Sequence, residues 1–224
     1  MTAAQFRRSM AAGIAFVVLL VVGVLVSFGN SPDIKSKDDD AATAAKYVNA
    51  LSSHTHRTGI LVGAYLVLLA ALAFVWYTQG LRARLDDVAG SRAAGRRVAA
   101  LGVLGAAALM AAGMANAVMA GAVEFGGDKV PHDGDTIRVV MDMFFPFIFV
   151  VFALTSAAII ATLAAYARAA GLPAWLGYTA WLAVVAGIVA VIFLPMVLVL
   201  LWYLAVAIAG LARPPVSVSS ATTA

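Results

Sequence analysis

The run AWLGYTAWLAVVAGIVAVIFLPMVLVLLWYLAVAIAGLA, Ala174–Ala212, holds 39 residues without a single charge. As one helix it would extend roughly 58 Å, about twice the ~30 Å thickness of a hydrocarbon core. Phe193-Leu194-Pro195 offers a turn near its middle, because proline cannot donate the backbone hydrogen bond that would carry a helix through it. The run therefore predicts a hairpin of two membrane-embedded helices, over 175–192 and 196–212. Arg213-Pro-Pro follows and ends the second.

The rest of the chain has the same character. Of 224 residues 63% are hydrophobic and only 12% charged, with a mean hydropathy of +0.98. A soluble domain carries roughly twice that charged fraction. Further apolar runs occupy 9–28, 58–79, 98–123 and 136–166, separated by short polar stretches. The expected fold is all-α: a polytopic membrane protein in which residues 1–213 form one domain of six transmembrane helices. Residues 214–224, rich in Ser, Thr and Ala, read as a disordered cytoplasmic tail. The first run is longer than the apolar core of a cleaved signal peptide and reads as a retained anchor.

Charge sets the orientation. Alternate connections carry Arg7 and Arg8, then Arg82, Arg84, Arg92, Arg96 and Arg97, then Arg168, then Arg213. The other set carries Lys35, Lys37, Lys46, Arg57, Lys129 and Arg138 among eight acidic residues. The positive-inside rule puts both termini in the cytoplasm of a bacterial cell, with the protein in its plasma membrane. Trp76, Tyr77, Tyr166, Trp175 and Tyr178 fall at the same arginine-rich side, as interfacial aromatics should. The net charge of +4 thus reflects topology and lipid headgroups and gives no reason to expect nucleic acid. Without cysteine there is no disulfide or thiolate chemistry. No Walker loop, dinucleotide fingerprint or HExxH occurs, and no cofactor is expected.

Between the first two runs, Asp40 before Ala-Ala-Thr-Ala-Ala-Lys is placed to cap a short extracytoplasmic helix over 41–51. Tyr47, Val48 and Leu51 would form its apolar side. The third run is rich in Gly and Ala (Gly102, Gly105, Gly113, Gly121), which predicts close helix contacts at the centre of the bundle. The same face is available for self-association or for another membrane protein.

Asp142 is the only acid embedded in an apolar run, and Pro146 lies one turn after it. Proline frees the carbonyl four residues back, here that of Asp142, and gives the helix a place to bend. Two roles suit the carboxylate: an intrahelical pair with Arg138, or a polar notch open to the outside. Asn116 in the third run would complete such a notch if it met Asp142. Phe144, Phe145, Phe147, Phe149 and Phe152 surround the turn and read as packing. Trp181 and Trp202 are deep enough to pack together within the hairpin. His54, His56, His132 and Asp133 all fall on the outer side, where imidazole and carboxylate would suit zinc or copper if the two loops converged.

Several segments resemble a family of small actinobacterial six-span integral membrane proteins of unknown function. They are Gly80-Leu-Arg-Ala-Arg-Leu85, Gly171-Leu-Pro-Ala-Trp-Leu-Gly177, Leu201-Trp-Tyr-Leu204 before a terminal arginine, and the outer helix with Tyr47 followed by His54. The resemblance implies the architecture and no substrate. Three function classes stay open. The first is a non-enzymatic accessory, scaffold or sensor associating with lipid or another membrane protein. The second is a small permease-like transporter with an outward pocket at Asp142. The third is an outer-face enzyme handling a metal, quinone or lipid.

Overall fold

The computed structural model describes residues 1–35, 38–88, 90–127, 129–131, 133–192 and 194–213. The expected tail at 214–224 and the candidate ligand His132 lie outside the described residues. Among those described, all regular structure is helical. Four helices are long and apolar enough to cross a membrane: α1 (Ala3–Asn30), α3 (His54–Asp86), α4 (Arg92–Phe125) and the composite Gly134–Tyr166. A shorter α2 (Asp40–Ser52) lies between the first two. The composite helix divides into α5 (Gly134–Asp142), a turn α6 (Phe144–Pro146), a π-helical segment (Phe147–Phe152) and α7 (Ala153–Tyr166). The charge-free run folds as the expected hairpin. It comprises α8 (Ala174–Ile188), a 3₁₀ turn (Ala190–Ile192) and α9 (Met196–Ala212).

Helix ends follow the sequence. Thr2 and Gln5 form a capping box on α1, and Ser53 and Asp133 accept the cap bonds of α3 and α5. Asp39, one residue before the expected cap, accepts from the Ala42 amide and starts α2. α1, α3 and α4 overrun their apolar runs at both ends. Charged residues such as Arg82, Arg92 and Arg96 are good helix formers, so polarity marks the end of the apolar stretch and not of the helix.

The helices close into a ring. α1 packs along α3, α3 along α4, α4 along the composite helix, α7 along α8, and α9 against both α8 and α1. No helix occupies the centre, contrary to the expectation for the Gly-rich third run. Aromatic side chains fill it: Phe16 of α1, Phe74 of α3, Phe152 of the π segment and Tyr203 of α9, all fully buried. Phe74 lies 4.7 Å from Phe16, 5.2 Å from Phe152 and 5.6 Å from Tyr203, centroid to centroid. The tilted and edge-on geometries are the favoured ones for aromatic rings. Tyr77, read from the sequence as interfacial, is buried here and its hydroxyl donates to the Tyr203 carbonyl at 3.0 Å. Trp202 donates to the Leu176 carbonyl at 3.2 Å, whereas Trp181 is 59% exposed on the outer wall, so the two tryptophans do not form the expected pair.

Small residues do bring helices together, inside the chain. Gly102 meets Thr78, Gly105 meets Phe74 and Thr155, and Gly113 meets Ala64 and Leu68. α1 and α3 approach at backbone distance, where a Cβ on Gly63 would fall 2.8 Å from both the Gly23 carbonyl oxygen and the Ser27 nitrogen. Backbone atoms cannot give way as a flexible side chain can. Gly63→Ala is expected to lower stability by about 1–3 kcal/mol. Gly29→Ala, which meets nothing within 4 Å, should instead raise it by up to ~1 kcal/mol through helix propensity. Thermal unfolding of both variants in one detergent measures the difference.

Candidate functional site

One end of the ring gathers the C-termini of α1 and α4, the N-terminus of α3, and all of α2 and α5. Tyr47 and Leu51 of α2 pack with Ile60, Ala120, Val123, Ile137 and Met141 in a small apolar cluster separate from the main core. The predicted apolar side of α2 is therefore the side that docks. Arg57, only 4% exposed, fixes the dock. Its Nη1 donates to the Leu51 and Ser52 carbonyls at 2.9 and 3.3 Å, and its Nε to Glu124 at 2.8 Å. Glu124 also meets His54 at 3.1 Å.

Docked in this way, Tyr47 reaches Asp142 and donates to Oδ1 at 2.7 Å. Arg138 does not form the intrahelical pair with Asp142; its ion pair is with Asp40 of α2, at 3.5 Å. Burial, and then the hydrogen bond to Asp142, push the Tyr47 hydroxyl well above its ordinary value. The phenol thus stays a neutral donor to the carboxylate across the accessible pH range.

Asp142 sits where the composite helix breaks. α5 ends at Asp142, and the chain turns at Met143 before helix resumes. The cause is Pro146, whose nitrogen cannot satisfy the Asp142 carbonyl. The disturbance continues into the π segment, where the Ala153 amide reaches back to the Ile148 carbonyl. The expected proline bend is a change of winding that spans two turns.

The break opens onto a cavity of about 470 Å³. Ser27, Ser31, Tyr47, Asn116 and Asp142 supply its polar groups; Phe28, Ile34, Met141, Phe144 and Phe145 supply much of its apolar wall. Asn116 and Asp142 both line this space, but Asn116 donates to Ser27 Oγ, at 2.9 Å, and not to Asp142. Phe145 stacks on Phe28 with centroids 5.8 Å apart, and Phe144 stands edge-on to both. The segment after α1 forms the roof. Lys46 latches it, donating to the Asp33 carbonyl at 2.7 Å and to Asp38 at 2.5 Å. The Lys35 amide also donates to Asp38, at 2.7 Å.

Of the other predicted ligands, His54, His56 and Asp133 do not join this site. His54 and His56 begin α3 and Asp133 caps α5. Among the described residues no three His, Asp or Glu side chains gather as a metal site. The site residues that sequence reasoning missed are Tyr47 as a donor, Ser27, and Phe28. A tyrosine on the apolar side of a short helix was the available signal. Comparison with family models, with curated proteins and with solved structures finds no match to this chain.

Two outcomes test the geometry. A double-mutant cycle of Tyr47→Phe and Asp142→Asn, followed by thermal unfolding, should give a coupling of about 1–2 kcal/mol. The hydrogen bonds from Lys46 and the Lys35 amide hold the Asp38 carboxyl below its ordinary value. A depressed pKa stabilises above the unfolded carboxylate range and is lost as pH falls through the folded value. Amide exchange at Lys35 and Asp38, corrected for intrinsic rates, should therefore rise below about pH 4. In Lys46→Met it should be fast at every pH.

Proposed function

We propose that this is a non-enzymatic membrane protein, an accessory or sensor, that holds one small amphiphilic molecule in the cavity at Asp142. The four long helices cross the bilayer, and the α8–α9 hairpin enters it from the side of both termini, giving six embedded segments. Nine arginines at that end, against a mixed and mainly acidic set at the cavity end, support a cytoplasmic location for the termini and an outward-facing cavity. The family the sequence resembles is consistent with this arrangement.

The carrying observation is the cavity itself: polar groups and phenylalanines line one volume typical of small-molecule sites. A lipid or other amphiphile has the same mixed chemistry. Transport is less well supported. Phe16 lies eleven residues before Ser27 on α1, so the buried aromatic layer sits roughly 17 Å deeper, across the line a substrate would follow.

Purification in mild detergent followed by extraction and mass spectrometry tests the reading. Wild type should retain about one amphiphile per chain, as a dedicated pocket would. Ser31→Phe, which places a ring at the mouth, should lose it while remaining monodisperse. Wild type that purifies empty, or a variant that retains the same molecule in the same amount, overturns the proposal.

A further inference from the structure

We infer that the cavity at Asp142 takes an organic ammonium ion bearing an apolar body. The inference rests on reading the cavity as a ligand pocket and adds the chemical class of the ligand. Its first ground is charge. Among the described residues, Asp142 is the only charged one in the lining, and no described lysine or arginine contributes to it. Three cations of this end pair with other carboxylates: Arg57 with Glu124, Arg138 with Asp40, Lys46 with Asp38. An anionic ligand would meet a carboxylate with no cation among the described lining residues to offset it. A cation would meet one matching charge in a place sheltered from water, where such pairing is strongest.

The second ground is the aromatic part of the wall. Phe28, Phe144 and Phe145 form a mutually contacting set of rings, with centroids 5.8–6.1 Å apart, and Tyr47 adds a fourth ring beside Asp142. The negative faces of aromatic rings attract an ammonium group, and cages of this composition are the usual solution for alkylated ammonium ligands. A metal ion fits the lining less well. Magnesium and calcium require six or more oxygen ligands at short range, and three phenylalanines supply none.

The third ground is the state of the carboxylate. Tyr47 engages Oδ1, and it is the only hydrogen-bond donor to Asp142 among the described residues. A single neutral donor orients the group and leaves its second oxygen for a ligand. Ser27, Ser31 and Asn116 lie within the same lining, ready for a hydroxyl or ester next to the charge. The source of the ammonium group is either a lipid headgroup, such as an ethanolamine or choline, or a free organic cation from the outside.

Saturation-transfer NMR on the full chain in nonionic detergent compares choline with 3,3-dimethylbutan-1-ol, its neutral isostere of the same shape. Choline should bind about tenfold or more tightly than the isostere, as expected for a desolvated cation–π and ion-pair site. Asp142→Asn should abolish that preference and leave the isostere unchanged. Phe145→Leu, at a partly exposed position, should lower choline binding by about two- to fivefold. Equal binding of the two probes, or an Asp142→Asn variant that keeps the preference, overturns the ammonium class. If Ser31→Phe blocks both probes in that case, the pocket reading survives. Should neither probe bind, the molecule retained on purification decides: one without an amine overturns this inference alone, and none at all overturns both. Native mass spectrometry from nanodiscs of phosphatidylethanolamine mixed with phosphatidylglycerol separates the sources. Selective retention of the ethanolamine lipid assigns the headgroup, and choline binding without lipid selectivity assigns the free cation.

Discussion

A single buried guanidinium holds the outer part of this molecule in place. α2 is a 13-residue helix, too short to be stable alone in water. Its last carbonyls would be unsatisfied where it ends against the bundle. Arg57 accepts both problems at once: it donates to the Leu51 and Ser52 carbonyls, and Glu124 balances its charge from α4. Three helices are tied at one point, and a cation removed from water is tolerated because its donors are used. Loss of that point would free α2, and with it Tyr47 and the Lys46 latch. The cavity would lose a wall and its roof.

The same device appears at the other end of α3. Arg84 is buried and donates to the Ala170 and Arg213 carbonyls, while its guanidinium lies 5.5 Å from the Phe6 ring centroid. Those carbonyls follow α7 and close α9, where the helix dipole is negative and cations are favoured. α3 is thus a strut with one inward-facing arginine near each end. One gathers α2 and α4; the other gathers α1, the chain after α7, and α9. The glycines of α1 and α3 then let the strut lie against its neighbour at backbone distance.

Much of this architecture was legible because it depends on gross polarity. The six apolar runs, the turn before Met196 and the docking side of α2 follow from where charges are missing. Arg57 and Arg84 were not legible as anchors. In a linear sequence a buried arginine counts like any topology charge, and only the carbonyls that converge on it tell them apart. Arg138 was misread for a related reason. Its neighbour at i+4 was visible and Asp40, 98 positions away, was not. The aromatic layer escaped for the same cause, since Phe16, Phe74, Phe152 and Tyr203 come from four distant segments. Asp142 stood out because one carboxylate in an apolar run is costly wherever its partner lies.

The hairpin and the proline together explain where the site lies along the composite helix. α8 and α9 hold 15 and 17 residues, roughly 22 and 26 Å, against about 50 Å for the composite helix beside them. Their 3₁₀ turn reaches the π segment and stops there. Val191, Ile192 and Leu194 are 69%, 71% and 75% exposed around that turn. Of the described amides there, Ile192 donates to Val189 and Leu194 to Ile192. Above this turn the composite helix has no hairpin against its flank and packs instead on α2 and α4. Pro146 falls in this stretch. The broken turn can leave the Asp142 carboxylate facing a cavity, while the wider π turn below carries Phe152 into the aromatic layer. A helix irregularity of this kind is more often found at functional sites than elsewhere. Here its position beside the one carboxylate of the apolar runs joins the change of winding to the pocket.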